Sequence, residues 1–482
     1  MIPSTMKYIP RVMLLCCLFV LASGCSAAIP ATSPTGAVTR PVSTSTAIAL
    51  GPVASATPTA LPLSAFDPER SGELLAFSRA NPEFGGLIKL VVLDPLTGGF
   101  KPLGEGKPIA WSPSGRFILA SADDFAPASI VYDLRGRKTV EEILHPSSTE
   151  YTSYQNSTFW LPTGILPGPD DWLVIPDDHE NGFEARGIPS GERRTLVPAR
   201  NISDIDLSFK MLATTTGWLA WAPVGKSLTD IGRSSQTLSA VRVADPAKTH
   251  TWVLSEKIEK AYYTLLGAAP GASLLLLGAS PAPTFGTDNV ALYSFDLESG
   301  LLKDLGVTML SNPSAYAWSP TRPGELALAV GEGHFIGHNK RLALLNVQTG
   351  ELKYLTSPEI AAFEPDWSLD GKELAYAALK DDGSSTTLSN RAIYVYDLDA
   401  GESKIITHPA ASIDGWPHWL KDQQNILFVR YDGKQQTTLY LKNLASGAET
   451  SLDMQLDATF LFENGRCQFD QCNWGMILQF AR

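Results

Sequence analysis

The chain has 482 residues, with 50 Asp and Glu against 38 Lys and Arg, so its formal net charge at pH 7 is −12. An acidic surface is repelled by phosphate backbones and by anionic lipid headgroups. This argues against nucleic-acid binding and against attachment to membranes through charge. The basic residues are scattered and form no continuous stripe along the sequence.

The amino terminus is typical of an exported protein. Lys7 and Arg11 precede an apolar stretch, residues 12–22, which leads through two small residues to Cys25. This order predicts a signal peptide over residues 1–24, too short to span a bilayer. Small residues directly before a Cys resemble the bacterial lipobox, which implies that Cys25 becomes the mature first residue and carries lipid. The alternative is an ordinary signal peptide that places Cys25 near its cleavage site.

Residues 25–63 form the next segment, which consists mostly of Ala, Thr, Ser and Pro, with Arg40 as its only charge. Such a composition buries too little apolar surface to offset the entropy of ordering. We therefore expect a disordered tether with a reach on the order of 35 Å. The tether would hold the following domain away from the lipid.

A short phrase that begins with Trp recurs about every fifty residues along the rest of the chain, and a fixed period of this length is the signature of a repeat architecture. Its fullest copy is Trp111-Ser112-Pro113-Ser114-Gly115, followed by an apolar run. Further copies begin at Trp221, Trp318, Trp367 and Trp419, and weaker ones at Phe66, Trp160 and Ala268.

A second phrase, Asp-x-x-Thr-Gly or a close variant, lies between successive Trp phrases. Asp, Asn and Ser side chains bond their own backbone in turns, and Gly supplies the positive φ that closes a tight turn. Short apolar runs flank both phrases, so each repeat offers four short strands, which describes one blade of a β-propeller. The clearest copies span residues 94–98, 296–300, 346–350, 397–401 and 443–447.

These patterns predict an all-β chain whose residues 64–482 fold into a single β-propeller. Eight four-stranded blades are expected, and seven blades with an irregular extra hairpin are the alternative. A large flat side chain can fill the gap between twisted sheets. The recurring Trp is therefore interpreted as packing between blades and not as part of a ligand cavity.

The two phrases resemble those of the TolB-type and WD-repeat-like β-propellers, over about residues 66–447. Propellers include binding proteins, scaffolds and unrelated enzymes, so the resemblance implies a fold and little about function. The amino-terminal α/β domain of TolB has no counterpart in this sequence, which argues against a TolB-specific role. In such propellers both phrases lie on one face, and the remaining connections build the opposite, binding face.

The candidate binding residues lie in these remaining connections, because loops on a rigid scaffold often carry function. Three glycines around the histidines at positions 334 and 338 disfavour a helix, so a solvated loop or a ligand contact is expected there rather than a metal site. Positions 178 and 179 lack the spacing of a calcium loop, so an exposed turn is favoured over a weak cation site. The candidates are His334, His338, Asp381, Asp382, Arg391, Trp416, His418, Asp178 and His179.

Trp416 has two interpretations: it could present an aromatic surface to a sugar or peptide, or it could pack at the edge of a blade. No metal ion, cofactor or catalytic residue is assigned from the sequence.

Two cysteines, Cys467 and Cys472, remain once the signal peptide and the lipid account for the other three. In an exported protein a leftover pair predicts a disulfide bond. It would close a hairpin within about residues 460–478, where the last strands must complete the ring against the first blade.

Enzyme signatures are missing from the sequence. There is no Gly-x-Ser-x-Gly motif of the serine hydrolases and no His-Glu-x-x-His motif of the zinc peptidases. The sequence therefore favours an exported, lipid-anchored binding or scaffold module of the cell envelope, facing the periplasm or the exterior. Its partner would be a protein, peptide or glycan. The alternative is a propeller-type hydrolase or lyase that acts on a glycan or lactone.

Overall fold

The computed structural model consists of antiparallel strands joined by short turns and longer loops. It describes residues 59–60, 73–80, 88–121, 128–135, 138–144, 158–177, 182–197, 208–224, 237–254, 262–280, 289–333, 337–381, 383, 390–409, 412–432, 437–456, 462–463, 466–467 and 478–480. Within these ranges no helix is long and apolar enough to cross a membrane. Residues Pro313–Ala315 form a 3₁₀ turn.

The described residues contain 35 strands. In chain order they are β1 (Thr59–Ala60), β2 (Leu75–Ala80), β3 (Ile88–Leu93), β4 (Phe100–Glu105), β5 (Lys107–Trp111), β6 (Phe117–Ser121), β7 (Ala128–Asp133), β8 (Lys138–Leu144), β9 (Phe159–Trp160), β10 (Asp171–Asp177), β11 (Gly182–Ile188), β12 (Arg193–Val197), β13 (Ser208–Ala213), β14 (Trp218–Val224), β15 (Thr237–Arg242), β16 (Asp245–Val253), β17 (Tyr262–Ala268), β18 (Leu274–Ser280), β19 (Asn289–Asp296), β20 (Leu301–Leu310), β21 (Tyr316–Trp318), β22 (Glu325–Val330), β23 (Arg341–Asn346), β24 (Leu352–Tyr354), β25 (Ile360–Trp367), β26 (Glu373–Lys380), β27 (Ala392–Asp397), β28 (Glu402–Ile405), β29 (Ile413–Trp419), β30 (Asn425–Tyr431), β31 (Thr437–Asn443), β32 (Glu449–Gln455), β33 (Phe462–Glu463), β34 (Arg466–Cys467) and β35 (Leu478–Phe480).

The described strands pair into eight four-stranded antiparallel units. Unit 1 consists of β35 and β2–β4, and units 2 to 8 follow as β5–β8, β9–β12, β13–β16, β17–β20, β21–β24, β25–β28 and β29–β32. Units 5 and 6 are joined into one sheet by a single pair, Met309 and Val330. Eight is also the expected number of blades, which stays a prediction for the chain as a whole.

The last strand of the chain completes the first unit. Strand β35 pairs antiparallel with β2, with Leu75 opposite Phe480 and Phe77 opposite Leu478. It also contacts β5 of unit 2. The carboxyl terminus therefore closes the ring against the first unit, as the sequence predicts. Strands β33 and β34 form a two-stranded hairpin just before it.

Strand β1 lies within the predicted tether and adds a parallel fifth strand to unit 8, with Thr59 opposite Thr450. At these two residues the structure differs from the expected disorder. The physical reason is that the outer strand of a sheet presents unpaired backbone N–H and C=O groups, which an adjacent extended segment can satisfy.

The core lies between neighbouring units. The second strands β6, β22 and β26 are buried along almost their whole length, because sheets cover both of their faces. The fourth strands β24 and β28 contain exposed positions, as expected at an outer edge. The second strands have continuous apolar sequences because both of their faces are buried. The fourth strands have a mixed composition because they lie at the outer edge of each sheet.

Alternating strand direction gives the ring two faces. The turn face carries the Asp-x-x-Thr-Gly turns and the turns that follow the other described copies of the Trp phrase. The copy at Trp221 was predicted wrongly as such a turn, because Trp221 lies within β14, the second strand of unit 4, and the turn between β13 and β14 spans residues 214–217. The loop face carries the connections between second and third strands and those between units. Side chains link neighbouring turns on the turn face: Arg322 Nη2 donates to Gly371 O at 2.6 Å, and Lys303 Nζ donates to Gln348 O at 2.8 Å.

The recurring tryptophans pack between units, as predicted. The indole N–H of Trp367 donates to Ala317 O of the preceding unit at 3.0 Å, and Trp160 makes the same bond to Ala110 O at 3.4 Å. Trp160 also stacks on Phe117 of unit 2, with ring centroids 6.3 Å apart. Trp111, Trp160, Trp221, Trp367 and Trp419 are all buried.

Candidate functional site on the loop face

Two loop-face connections meet at His338 and Asp381, which belong to units 6 and 7. His338 Nδ1 lies 2.7 Å from Asp381 Oδ1, and the backbone N–H of Asn339 donates to Asp381 Oδ2 at 2.7 Å. The N–H of Gly383 donates to the same carboxylate at 3.0 Å. Although burial raises the pKa of Asp381, these hydrogen bonds outweigh it and leave the pKa below its ordinary value.

An ionised Asp381 must accept the proton on His338 Nδ1, so the imidazole is held in one orientation. The His338 side chain is 46% exposed, whereas that of Asp381 is only 8% exposed. The other ring nitrogen, Nε2, is therefore the one that a ligand could reach. Of the sequence candidates, this pair has the geometry of a contact site.

Lys340 stabilises the connection between β22 and β23 from inside the protein. Its Nζ donates to the backbone carbonyls of Glu332 and Gly333, each at 2.7 Å, and the residue is 1% exposed. Burial lowers its pKa to about 8, even though Asp381 and Glu332 act in the opposite direction. The buried ammonium thus holds the two ends of the connection together.

Gly331 permits this close approach. A Cβ added at Gly331 would lie 1.7 Å from Asn339 O, and its φ of +154° is rare for residues with a side chain.

Arg391 is also a sequence candidate, but the structure places it inside the protein, with no exposed surface. Its Nε donates to Asp414 O at 2.8 Å, and its Nη2 lies 3.6 Å from Glu364 Oε2. The guanidinium stacks over the Phe363 ring at 5.0 Å. Arg391 therefore bridges units 7 and 8 from within and is not available to a ligand at the surface.

Trp416 lies next to this ion pair. Its backbone N–H donates to Glu364 Oε2 at 2.7 Å. Burial raises the pKa of Glu364, and the nearby Arg391 and this N–H only partly oppose the rise. Of the two interpretations of Trp416, packing at the edge of a unit agrees with this position, because the residue is part of the contact between units 7 and 8.

The backbone at Glu364 and Trp416 is unusual in the same way. Both have positive φ, +55° and +51°, and each lies where the register of the first strand shifts, in β25 and β29 respectively. Such a bulge redirects side chains. The bulge allows Glu364 to receive the N–H of Trp416 from the neighbouring unit.

His418 is the third candidate in this region and is held by two carboxylates. Its Nε2 lies 3.0 Å from Glu73 Oε1, and its Nδ1 lies 3.1 Å from Asp366 Oδ2. Burial lowers its pKa, but the two carboxylates outweigh burial and raise it above the ordinary value. Both ring nitrogens face carboxylate oxygens inside the protein, so neither is placed to take a proton from a substrate, which argues against a catalytic base.

Three residues that contribute to these groups were not predicted as site residues: Glu73, Glu364 and Lys340. Glu364 lies within a candidate connection, residues 357–366, but was not itself identified, and Glu73 lies outside the candidate connections. Lys340 belongs to an isolated basic pair, Lys340-Arg341, which has no pattern typical of a site.

Several predicted residues lie outside the described residues. They are His334, Asp382, Asp178, His179, Cys25 and Cys472. Cys467 lies in β34, and its disulfide bond with Cys472 stays a prediction. Over the described part of the chain, no group of three or more His, Cys, Asp or Glu side chains could hold a metal ion.

A cleft of about 330 Å³ lies on the turn face, between units 5 and 6. The protein itself satisfies its charged groups. Glu298 accepts from Trp218 Nε1 at 3.0 Å and from Ser273 Oγ at 3.1 Å, and Lys303 donates to Gln348. These contacts make the cleft a junction between units rather than the candidate site.

Comparison with known proteins supports the fold and leaves the family open. No family model matches the chain. A 96-residue segment is 31% identical to dipeptidyl-peptidase 5 of Porphyromonas gingivalis, but it covers 19% of this chain and 14% of that protein.

Solved structures resemble a larger part of this chain. Dipeptidyl peptidase 4 of Porphyromonas gingivalis superposes with a TM-score of 0.50 at 12% identity, over 78% of this chain and 59% of that one. A putative TolB from Agrobacterium tumefaciens has a TM-score of 0.31 at 18% identity, over 57% of this chain and 88% of that one. Together with the eight four-stranded units, the first likeness shows that the chain is a β-propeller.

Proposed function

We propose that this protein is a lipid-anchored binding module of the cell envelope, whose loop face at units 6 and 7 recognises a partner. The observation that carries the proposal is the exposed His338 imidazole, fixed by a buried Asp381 at the junction of two rigid units. A contact group held in place by its scaffold loses little entropy when it binds.

The acidic net charge of the chain favours a basic protein or peptide as the partner. Glu332 and Glu359 are exposed on the same face beside His338 and Asp381, and the whole chain is acidic. Complementary charge directs encounter and selects partners. The large apolar side chains exposed among the described residues, Leu96, Val253, Leu301, Tyr354 and Leu369, lie in turns or outer strands instead. The one aromatic ring among these residues, Tyr354, is covered by the Arg341 guanidinium at 3.9 Å.

The anchor part of the proposal rests on the signal peptide and on Cys25. Lipid on Cys25 would keep the propeller at the membrane without any contact between lipid and the acidic domain. Incorporation of labelled fatty acid should be lost in Cys25→Ala and kept in Cys467→Ala; label that persists in Cys25→Ala would contradict the anchor.

A hydrolase or lyase that acts on a glycan or lactone is the second candidate, because the His338–Asp381 pair also has the geometry of an oriented general base. His418, by contrast, is fully engaged by Glu73 and Asp366. In this case turnover by the wild-type protein would fall at least tenfold in His338→Gln.

Site-specific photocrosslinking in cells tests the binding face. A photoreactive residue at position 332, which is exposed beside His338, should yield protein adducts in the anchored full-length chain. The matched control is the same residue at position 369, which is 46% exposed on the turn face and should yield none. Adducts from position 332 should decrease at least fivefold when His338→Ala is added. Equal adducts from both positions, or no effect of His338→Ala, would contradict the proposal.

A further inference from the structure

A buried histidine, His418, lies at the contact between the first and last units. Glu73 lies two residues before β2 of unit 1, Asp366 lies in β25 of unit 7, and His418 lies in β29 of unit 8. The imidazole therefore touches three units of the ring at once, through hydrogen bonds of 3.0 and 3.1 Å. Glu73 and His418 are 345 positions apart in the sequence.

The two carboxylates are arranged around a cation. Each also accepts a backbone N–H from unit 8: Asp366 Oδ2 accepts from Trp419 in β29 at 2.8 Å, and Glu73 Oε2 accepts from Lys421 in the turn after β29 at 3.0 Å. The Trp416 ring stacks on the imidazole, with centroids 6.1 Å apart. The side chains of His418, Glu73 and Asp366 are 8%, 6% and 13% exposed, so solvent screens these charges weakly.

We propose that Glu73, His418 and Asp366 form a proton-dependent clasp that holds the first, seventh and eighth units together and weakens when the imidazolium loses its proton. A neutral imidazole has one donor and one acceptor nitrogen. One of the two carboxylates would then face the lone pair of the unprotonated ring nitrogen. The contact between the units would lose a charge-assisted hydrogen bond, and the carboxylate would repel the lone pair.

The pH dependence follows from the direction of the pKa shift. An unfolded histidine has a pKa near 6.5, and in the folded protein Asp366 and Glu73 raise the pKa of His418 above that value in spite of burial. The stabilisation is therefore fully present below about pH 6.5 and is lost as the pH rises through the folded pKa. The carboxylates of Asp366 and Glu73 are the charged groups that raise the pKa of His418.

The folding equilibrium constant of the full-length protein, measured as a function of pH, tests the clasp. Above pH 6.5 the folding equilibrium constant of the wild type should fall relative to that of His418→Gln, by up to about tenfold per pH unit until the folded pKa is passed. His408→Gln, which removes an exposed histidine, should run parallel to the wild type. Parallel curves for the wild type and His418→Gln would overturn the proposal.

A second measurement does not depend on the folding of His418→Gln. Nuclear magnetic resonance of labelled histidine side chains in the wild type should show one imidazole that titrates above pH 6.5 and whose midpoint falls in Asp366→Asn. If every histidine signal titrates at or below pH 6.5, no such clasp exists.

Discussion

Asp414→Ala is expected to lower the free energy of unfolding by about 3–5 kcal/mol, because it removes one partner of a buried ion pair. Asp414 has no exposed surface, and Arg430 binds it through two bonds, from Nε to Oδ1 at 2.6 Å and from Nη2 to Oδ2 at 2.7 Å. Without the carboxylate, a guanidinium whose side chain is only 16% exposed loses its main counter-charge.

Arg430 keeps other contacts in this variant, and these limit the expected loss of unfolding free energy to the lower end of the range. Its Nη1 still donates to Glu449 at 2.6 Å, and its guanidinium lies 4.6 Å from the centre of the Tyr440 ring. Denaturant unfolding measures the loss. The control is Asp399→Ala, which removes an exposed turn carboxylate and should change stability by less than about 0.5 kcal/mol. A loss below about 1 kcal/mol in Asp414→Ala would contradict the importance of this pair.

Trp367→Ala is expected to cost a similar amount, about 3–5 kcal/mol, because it opens a cavity between two units. Trp367 is 5% exposed, and its indole N–H donates to Ala317 O of unit 6 at 3.0 Å. The Arg322 guanidinium of unit 6 lies 5.4 Å from the centre of the Trp367 ring. It also donates to Gly371 O in the turn that follows Trp367. The variant would remove both the packing and the hydrogen bond between units.

Thermal and denaturant unfolding of three variants would separate these effects. Trp367→Phe keeps most of the ring but loses the N–H, so it should cost less than Trp367→Ala. Leu369→Ala, two positions along and 46% exposed, should be nearly neutral. If Trp367→Ala were as stable as Leu369→Ala, the interpretation of the repeated Trp as packing between units would be wrong.

Much of the architecture could be predicted from the sequence because its markers are local. The runs that follow Trp367 and Trp419 became strands β26 and β30, and the glycines that end the second phrase, such as Gly350 and Gly401, have positive φ in tight turns. Each of these features depends on a few neighbouring residues. Repetition then made the pattern visible even where single copies, such as that at Ala268, are degenerate.

The contacts within the candidate site could be predicted far less well. His338 and Asp381 were both identified as loop residues, but their hydrogen bond joins two different units and leaves no local pattern. Glu364 has a positive φ in a strand without being Gly or Asn, so no turn residue marks the bulge. Arg391 was expected on the binding face because it ends a long connection; burial beneath the next unit follows only from the packing.

The order of units around the ring accounts for the most distant contact. Glu73 and His418 are neighbours because the first and last units lie next to each other in the folded chain. The sequence predicts that the ends of the chain must meet, but it does not predict which side chains fill the junction. A histidine near the end of a predicted strand is a weak signal by itself.

Disulfide trapping of the closing pair tests the closed ring most directly. Ala76 and Gln479 lie opposite each other in β2 and β35, so Ala76→Cys with Gln479→Cys, in a chain with Cys467→Ser and Cys472→Ser, should oxidise to a bridge between positions 76 and 479. Ala76→Cys with Leu478→Cys shifts one partner to the opposite face of the sheet and should form none. Efficient bridging of the shifted pair, or none from the matched pair in the folded protein, would contradict a ring closed by the last strand.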